Sequence, residues 1–178
     1  TPDDAPLLLA LGRLHKNKAF DVLIDALASL PGHYLWLGGV GPLDRALRAQ
    51  ADRAGVADRI RFLGWVADTA PLFAAADVFV CSSRHEPFGN IVIEAWLSGT
   101  PIVAAESEGP GALIGHDRDG LLSGLDDAPS MAAAIRRVTG DPVLAARLAG
   151  AGRARYEDGF TERAVVARYY DLFERLVA

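Results

Sequence analysis

Thiols, positive charge and long apolar runs are all scarce in this chain, and each shortage removes a class of function. The single cysteine, Cys81, cannot form an internal disulfide. It sits in the run Val78-Phe79-Val80-Cys81 and reads as a buried, inert thiol, which fits a reducing, cytoplasmic compartment. Lys and Arg total 18 against 23 Asp and Glu, giving a formal charge of -5. That balance offers no basic field to a nucleic-acid backbone, and no block of like charges forms an interaction tail. No apolar stretch reaches the roughly 18 residues of a membrane span. The opening Thr1-Pro2-Asp3-Asp4-Ala5-Pro6 has no basic segment leading into an apolar one, so no secretory signal is expected there. The four histidines, His15, His33, His85 and His116, lack ligand spacing with a cysteine or carboxylate. No protein-held metal and no cofactor are expected.

What is present is a globular composition, 51% hydrophobic and 23% charged, ample for one sizeable core. Short continuous apolar runs at 7–11, 33–37, 60–63, 78–81 and 102–105 read as strands buried on both faces. Between them lie helical stripes, Phe20, Leu23, Ile24, Leu27 and Leu30 in one and Leu43, Ala46, Leu47, Ala51 and Ala54 in another. After Gly120-Leu121-Leu122 the chain reads as helical over about 129–139, 141–156 and 161–178. Such alternation predicts an α/β fold, a Rossmann-like doubly wound parallel sheet of about six strands with helices on both faces. Residues 1–6, rich in Pro and Asp, read as an interdomain linker, so the sequence is expected to be a piece of a longer protein; 7–178 is the domain. The last helix repeats Val165, Val166, Tyr169, Tyr170, Phe173 and Val177, a face that needs a partner surface.

Ligands of parallel sheets sit at the carboxyl ends of the strands, which singles out the loops 12–18, 38–42 and 82–90. The first holds Arg13, Lys16 and Lys18, and lysine occurs nowhere else in the chain. An otherwise arginine-based sequence with both lysines in one loop suggests a compact ammonium for phosphate, although a solvated loop with three cations is the plainer account. The second, Gly38-Gly39-Val40-Gly41-Pro42, precedes a helix and lets backbone approach an anion at that helix's N-terminus. It lacks the third glycine of a dinucleotide fingerprint and follows the wrong strand for one.

The third loop carries the strongest signal. Pro87 and Gly89 force a turn, and Asn90 is expected to cap a helix running through Ile93 and Leu97 to Gly99. Free amides of residues 88–92 would then face the cleft and attract phosphate. Glu94, a turn inside the helix, and Glu86, on the strand-side lip, flank that anion hole with acceptors for vicinal hydroxyls. A phosphate centre with hydroxyls on both sides describes a nucleotide sugar. Two carboxylates can also serve glycoside hydrolysis, but hydrolysis needs neither a phosphate nest nor the Arg13 and Lys18 cations opposite.

The ordered set Gly12-Arg13-Leu14, Lys18, Phe20-Asp21, Gly39-x-Gly41-Pro42, Phe62-Leu63-Gly64 with Val66, Glu86-x7-Glu94-Ala95 and Ser98-Gly99-x-Pro101 resembles the donor-binding C-terminal half of a group 1 (family 4) retaining glycosyltransferase of GT-B fold. The resemblance implies catalytic roles for Arg13, Lys18 and Glu86, the first two stabilising the departing diphosphate and Glu86 holding hydroxyls of the transferred sugar. It further implies donor binding by Gly12, Gly41, Trp65, Val66, Phe88, Gly89, Asn90, Ile91 and Glu94, with Glu94 on the ribose and 64–66 along the base. By the same resemblance the full-length enzyme moves a hexose-type sugar from a nucleotide sugar to a glycan or lipid-linked acceptor. That acceptor is held mainly by a missing N-terminal domain, through which any peripheral membrane contact would also come. The final helix would pack toward that domain, and this part alone is expected to bind donor without turnover. A nucleotide-sugar epimerase or a non-catalytic binding module are the rival readings. Ala19 stands where relatives usually carry glycine, and Glu106 to Gly111 carries acids where many place small residues.

Overall fold

This computed structural model of the chain describes residues 1–177. Six parallel strands form one sheet in the order β3-β2-β1-β4-β5-β6. They are β1 (Leu7–Leu11), β2 (Tyr34–Gly38), β3 (Ile60–Gly64), β4 (Val78–Cys81), β5 (Ile102–Ala105) and β6 (Leu121–Ser123). The helices are α1 (Phe20–Ala28), α2 (Asp44–Arg53), α3 (Ala70–Ala75), α4 (Asn90–Ser98), α5 (Glu108–Leu113), α6 (Ala128–Gly140), α7 (Pro142–Gly159) and α8 (Glu162–Val177). The doubly wound fold is the one expected. Strands β1, β4 and β5 have the expected bounds, while β2 starts one residue later, at Tyr34, leaving His33 outside with its ring on the Thr139 hydroxyl at 2.9 Å.

The two-residue period of the strands sorts their side chains to opposite faces. Leu8, Ala10, Val78, Val80, Val103 and Ala105 enter a core roofed by α1, α2 and α6. Leu9, Phe79, Cys81, Ile102 and Ala104 enter a second core beneath α3 and α4. Cys81 is buried, and that burial pushes its thiol up, away from the reactive thiolate. An Asp-Pro start defines α7: Asp141 accepts from the amides of Val143 and Leu144, both at 3.0 Å, with Pro142 in the first turn. Gly99 ends α4 in the left-handed region at φ 67°. Helix α8 buries none of its described residues, and Tyr169, Tyr170 and Phe173 are all exposed.

The sheet runs outward from β1 to β3 on one side and from β4 to β6 on the other. The order reverses between β1 and β4, so their following loops part to leave a crevice at the carboxyl edge.

Candidate functional site

Three loops on the β1 side stack backbone against backbone. Gly12 and Leu14 donate their amides to the carbonyls of Gly38 and Val40, each at 3.0 Å, and Gly39 donates to Gly64 at 2.7 Å. A methyl group on Gly39, whose φ is 137°, would sit 1.9 Å from the Gly12 carbonyl oxygen, and one on Gly41 would sit 2.4 Å from that of Leu14. These glycines therefore serve loop-on-loop packing, and the same backbone lines the cavity that the packing leaves at the carboxyl edge. Helix α2 begins only at Asp44. The cavity, of about 570 Å³, is lined by Gly12, Arg13, Gly41, Trp65, Val66 and Thr69 among others. Five of the expected site residues thus share one pocket. Trp65 stands at 77% exposure, and Arg13 makes no ion pair among the described residues.

The loop after β1 closes into a short 3-10 turn, Lys16–Lys18, followed by Ala19 at φ 49°. The left-handed conformation explains why glycine is the usual residue there. Loop 82–85 holds this turn in place: the Ser82 hydroxyl donates to the Lys18 carbonyl at 2.7 Å and the Arg84 amide to that of Asn17 at 2.8 Å.

Across the crevice Lys18 Nζ meets Glu86 Oε2 at 2.5 Å, with the two side chains 27% and 15% exposed. The sequence reading assigned them separate ligand groups; the fold makes them one ion pair from opposite lips. A sugar hydroxyl can still join the pair, accepting from the ammonium while donating to the carboxylate.

Gly89, at φ 87°, is the cap of α4, and Asn90 is its first helical residue with no capping hydrogen bond from a side chain. That corrects the expected cap, because only a glycine turns this tightly without strain. The amide of Val92 is also taken, by the Gly89 carbonyl at 2.9 Å. The amides of Phe88, Gly89, Asn90 and Ile91 find no acceptor among the described residues, so the nest is narrower than the expected 88–92. Helix α5 backs the turn. Gly109 donates to the Glu86 carbonyl at 2.7 Å, and a methyl there would lie 2.4 Å from the Phe88 carbonyl carbon.

His85 engages Glu108 Oε1 through Nδ1 at 3.0 Å. The acid of 106–111 thus braces the loop: Glu108 also accepts from the Glu86 amide at 3.4 Å. Its own amide first, and His85 next, hold its carboxyl below the ordinary value. Glu94, on the second turn of α4, has no hydrogen-bond or ion-pair partner among the described residues, and partial desolvation raises its carboxyl. An acid left without a partner and partly dehydrated is free to accept from a ligand. Arg84, Ser82 and Glu108 were not singled out as site residues, since only tertiary contacts reveal them. No group of three His, Cys, Asp or Glu able to hold a metal ion occurs among the described residues, and no described helix is long and apolar enough to cross a membrane.

A sequence model of the family described as "Glycosyl transferases group 1" matches residues 5–141. The lipopolysaccharide core biosynthesis glycosyltransferase LpsE of Rhizobium meliloti is 43% identical over 172 residues, covering 97% of this chain and 51% of its own length. Sucrose-phosphate synthase of Thermosynechococcus elongatus superposes with TM-score 0.90 at 32% identity, over 99% of this chain and 47% of its own. Anabaena Alr3699/HepE, solved in complex with UDP-glucose, superposes with TM-score 0.88 at 30% identity, over 98% of this chain and 49% of its own. The chain therefore spans about half the length of these relatives.

Proposed function

The chain belongs to the group 1 glycosyl transferases, and on that premise we propose that it binds the nucleotide-sugar donor of a retaining, hexose-transferring enzyme. The observation that carries this reading is the crevice between β1 and β4, where uncommitted amides at 88–91 lie beside the loop bearing Arg13 and Lys18. Amides and cations would hold the diphosphate, and Trp65 and Val66, on the cavity wall, would flank the base. Glu94 would take the ribose hydroxyls and Glu86 those of the sugar. As the bond from the sugar's anomeric carbon to the diphosphate oxygen breaks, its electron pair leaves with the phosphate, and Arg13 and Lys18 offset that growing charge. With two cations and four amides on the diphosphate, the reading calls for no metal.

The acceptor would be a glycan or lipid-linked sugar, held mainly by a second domain and reached from the cytoplasm. The name of the 43% identical relative, in lipopolysaccharide core biosynthesis, supports that class. The exposed apolar face of α8 suits packing against such a domain, and this part alone would bind donor without turning it over.

Calorimetric titration with UDP- and GDP-sugars tests the reading. Saturable binding of one of them is expected, weakened about tenfold or more by Lys18→Ala and by Glu94→Ala. Binding of neither, or full affinity in both variants, would overturn it.

A further inference from the structure

The side chain of Arg84 joins three parts of the carboxyl edge that the sequence keeps far apart. Its Nη1 and Nη2 grip the two Asp21 carboxylate oxygens at 2.9 and 2.6 Å, a bidentate pairing at the start of α1. Nη1 also donates to the Lys16 carbonyl at 2.9 Å, and Nε reaches Asp126 Oδ1, beyond β6, at 2.5 Å. Together with the contacts of Ser82 and the Arg84 amide, every carbonyl of the turn Lys16–Lys18 is held by residues of the β4 loop. That turn has no buried residue of its own to anchor it.

We propose that Arg84 is a positioning residue: it touches no donor, but fixes the Lys16–Lys18 turn so that the Lys18 ammonium is delivered to the Glu86 carboxylate and the diphosphate site. The inference rests on the donor-binding reading above. A lysine side chain is long and flexible, and a charge placed loosely by even an ångström gives up much of its effect on a reacting group. Arg84 and Glu86 leave the same loop two residues apart, so one short segment sets both the base of the lysine and the partner of its head. Lysine cannot replace Arg84, because a point ammonium cannot span two carboxylates and a carbonyl at once.

The test uses the presence of only two lysines, Lys16 and Lys18. Both lysines, with the chain's α-amine, are reductively methylated with isotope-labelled formaldehyde, which keeps their charge, and Lys16→Arg assigns the two lysine signals. In the unsubstituted chain the Lys18 signal should stand apart from that of Lys16 and move on Glu86→Gln. Arg84→Ala should bring it to the free-lysine position and raise the dissociation constant for UDP-glucose about tenfold. Arg84→Lys should behave like Arg84→Ala. Lys18→Ala combined with Arg84→Ala should bind no more weakly than Lys18→Ala alone, a non-additivity that general damage to the fold would not produce. Should Arg84→Ala prove unstable, Asp21→Asn removes the bidentate partner and should shift the Lys18 signal the same way. If Lys18→Ala weakens binding while Arg84→Ala and Asp21→Asn leave both signal and affinity unchanged, the positioning role is wrong and the donor reading stands. If Lys18→Ala is itself without effect, the donor reading fails.

Discussion

The ammonium of Lys18 and the carboxylate of Glu86 meet at 2.5 Å, although 68 residues separate them in the chain. The pair spans the crevice at the point where the strand order reverses. Each residue restrains the other, so removing one changes what the other can offer a ligand. Glu86→Gln should leave UDP affinity unchanged or slightly tighter, because the freed ammonium turns to the diphosphate. UDP-glucose should bind about tenfold more weakly, because the sugar loses a charged acceptor. Parallel titrations with the two ligands separate the effects, and equal losses for both would contradict this division of labour.

The packing of the glycine loops gives a stability prediction with an internal control. Gly39→Ala forces a methyl into the Gly12 carbonyl at 1.9 Å and should cost about 2–4 kcal/mol, with loss of nucleotide binding as the cavity floor shifts. Gly150→Ala, in the exposed interior of α7 with nothing within 4 Å, should stabilise by about 0.5–1 kcal/mol. Urea unfolding of the two variants checks the contrast.

Glu94 supplies a pH signature. Desolvation raises its carboxyl in the folded chain above the ordinary 4.5, so the folded state holds that proton more tightly than the unfolded. Stability must then fall as pH rises from about the unfolded value through the raised one, and the deficit persists at neutral pH. Glu94→Gln should be more stable than the parent at pH 7 while binding UDP more weakly. Asp21 works the other way. Burial raises its carboxyl, but the hydrogen bonds and charge of Arg84 outweigh that and lower it below 3.8. Its contribution is complete above that pH and is lost as pH falls through the folded value. Denaturation curves across pH for Glu94→Gln and Asp21→Asn should flatten in these two separate windows.

Core and surface aromatics should differ sharply. Trp96 is 1% exposed, donates from Nε1 to the Asp119 carbonyl at 2.8 Å and packs on Gly152 of α7. Trp96→Ala should cost about 3–5 kcal/mol. Tyr169→Ser and Phe173→Ser on α8 should each fall within about 0.5 kcal/mol of the parent. A large loss on α8 would mean that its face packs on this domain after all.

The sheet was largely legible because strands buried on both faces are written as unbroken apolar runs. Leu7 to Leu11 and Val78 to Cys81 need no tertiary knowledge. Helices α3 and α5 were missed because six residues are too few to display a period, and Glu108-Gly109-Pro110-Gly111 argues locally against a helix. The cap of α4 was misplaced by one residue because Asn and Gly both favour that position in sequence, and only the φ of 87° at Gly89 decides. In the candidate site, the loops of Gly12, Arg13 and Gly41 stood out because they follow strand ends, whereas Trp65 and Val66 were reached only through the family resemblance; all five line one cavity. The bracing by Arg84 and Glu108 could not be named in advance, since their partners lie 63 and 42 residues away for Arg84 and 23 and 22 away for Glu108.

The most direct test is a crystal structure of the chain soaked with UDP-glucose. The diphosphate oxygens should accept from the amides of Phe88 to Ile91 and from Arg13, with the ribose on Glu94 and the base in the cavity beside Trp65 and Val66. A nucleotide bound elsewhere, or a diphosphate out of reach of those amides, would contradict the account.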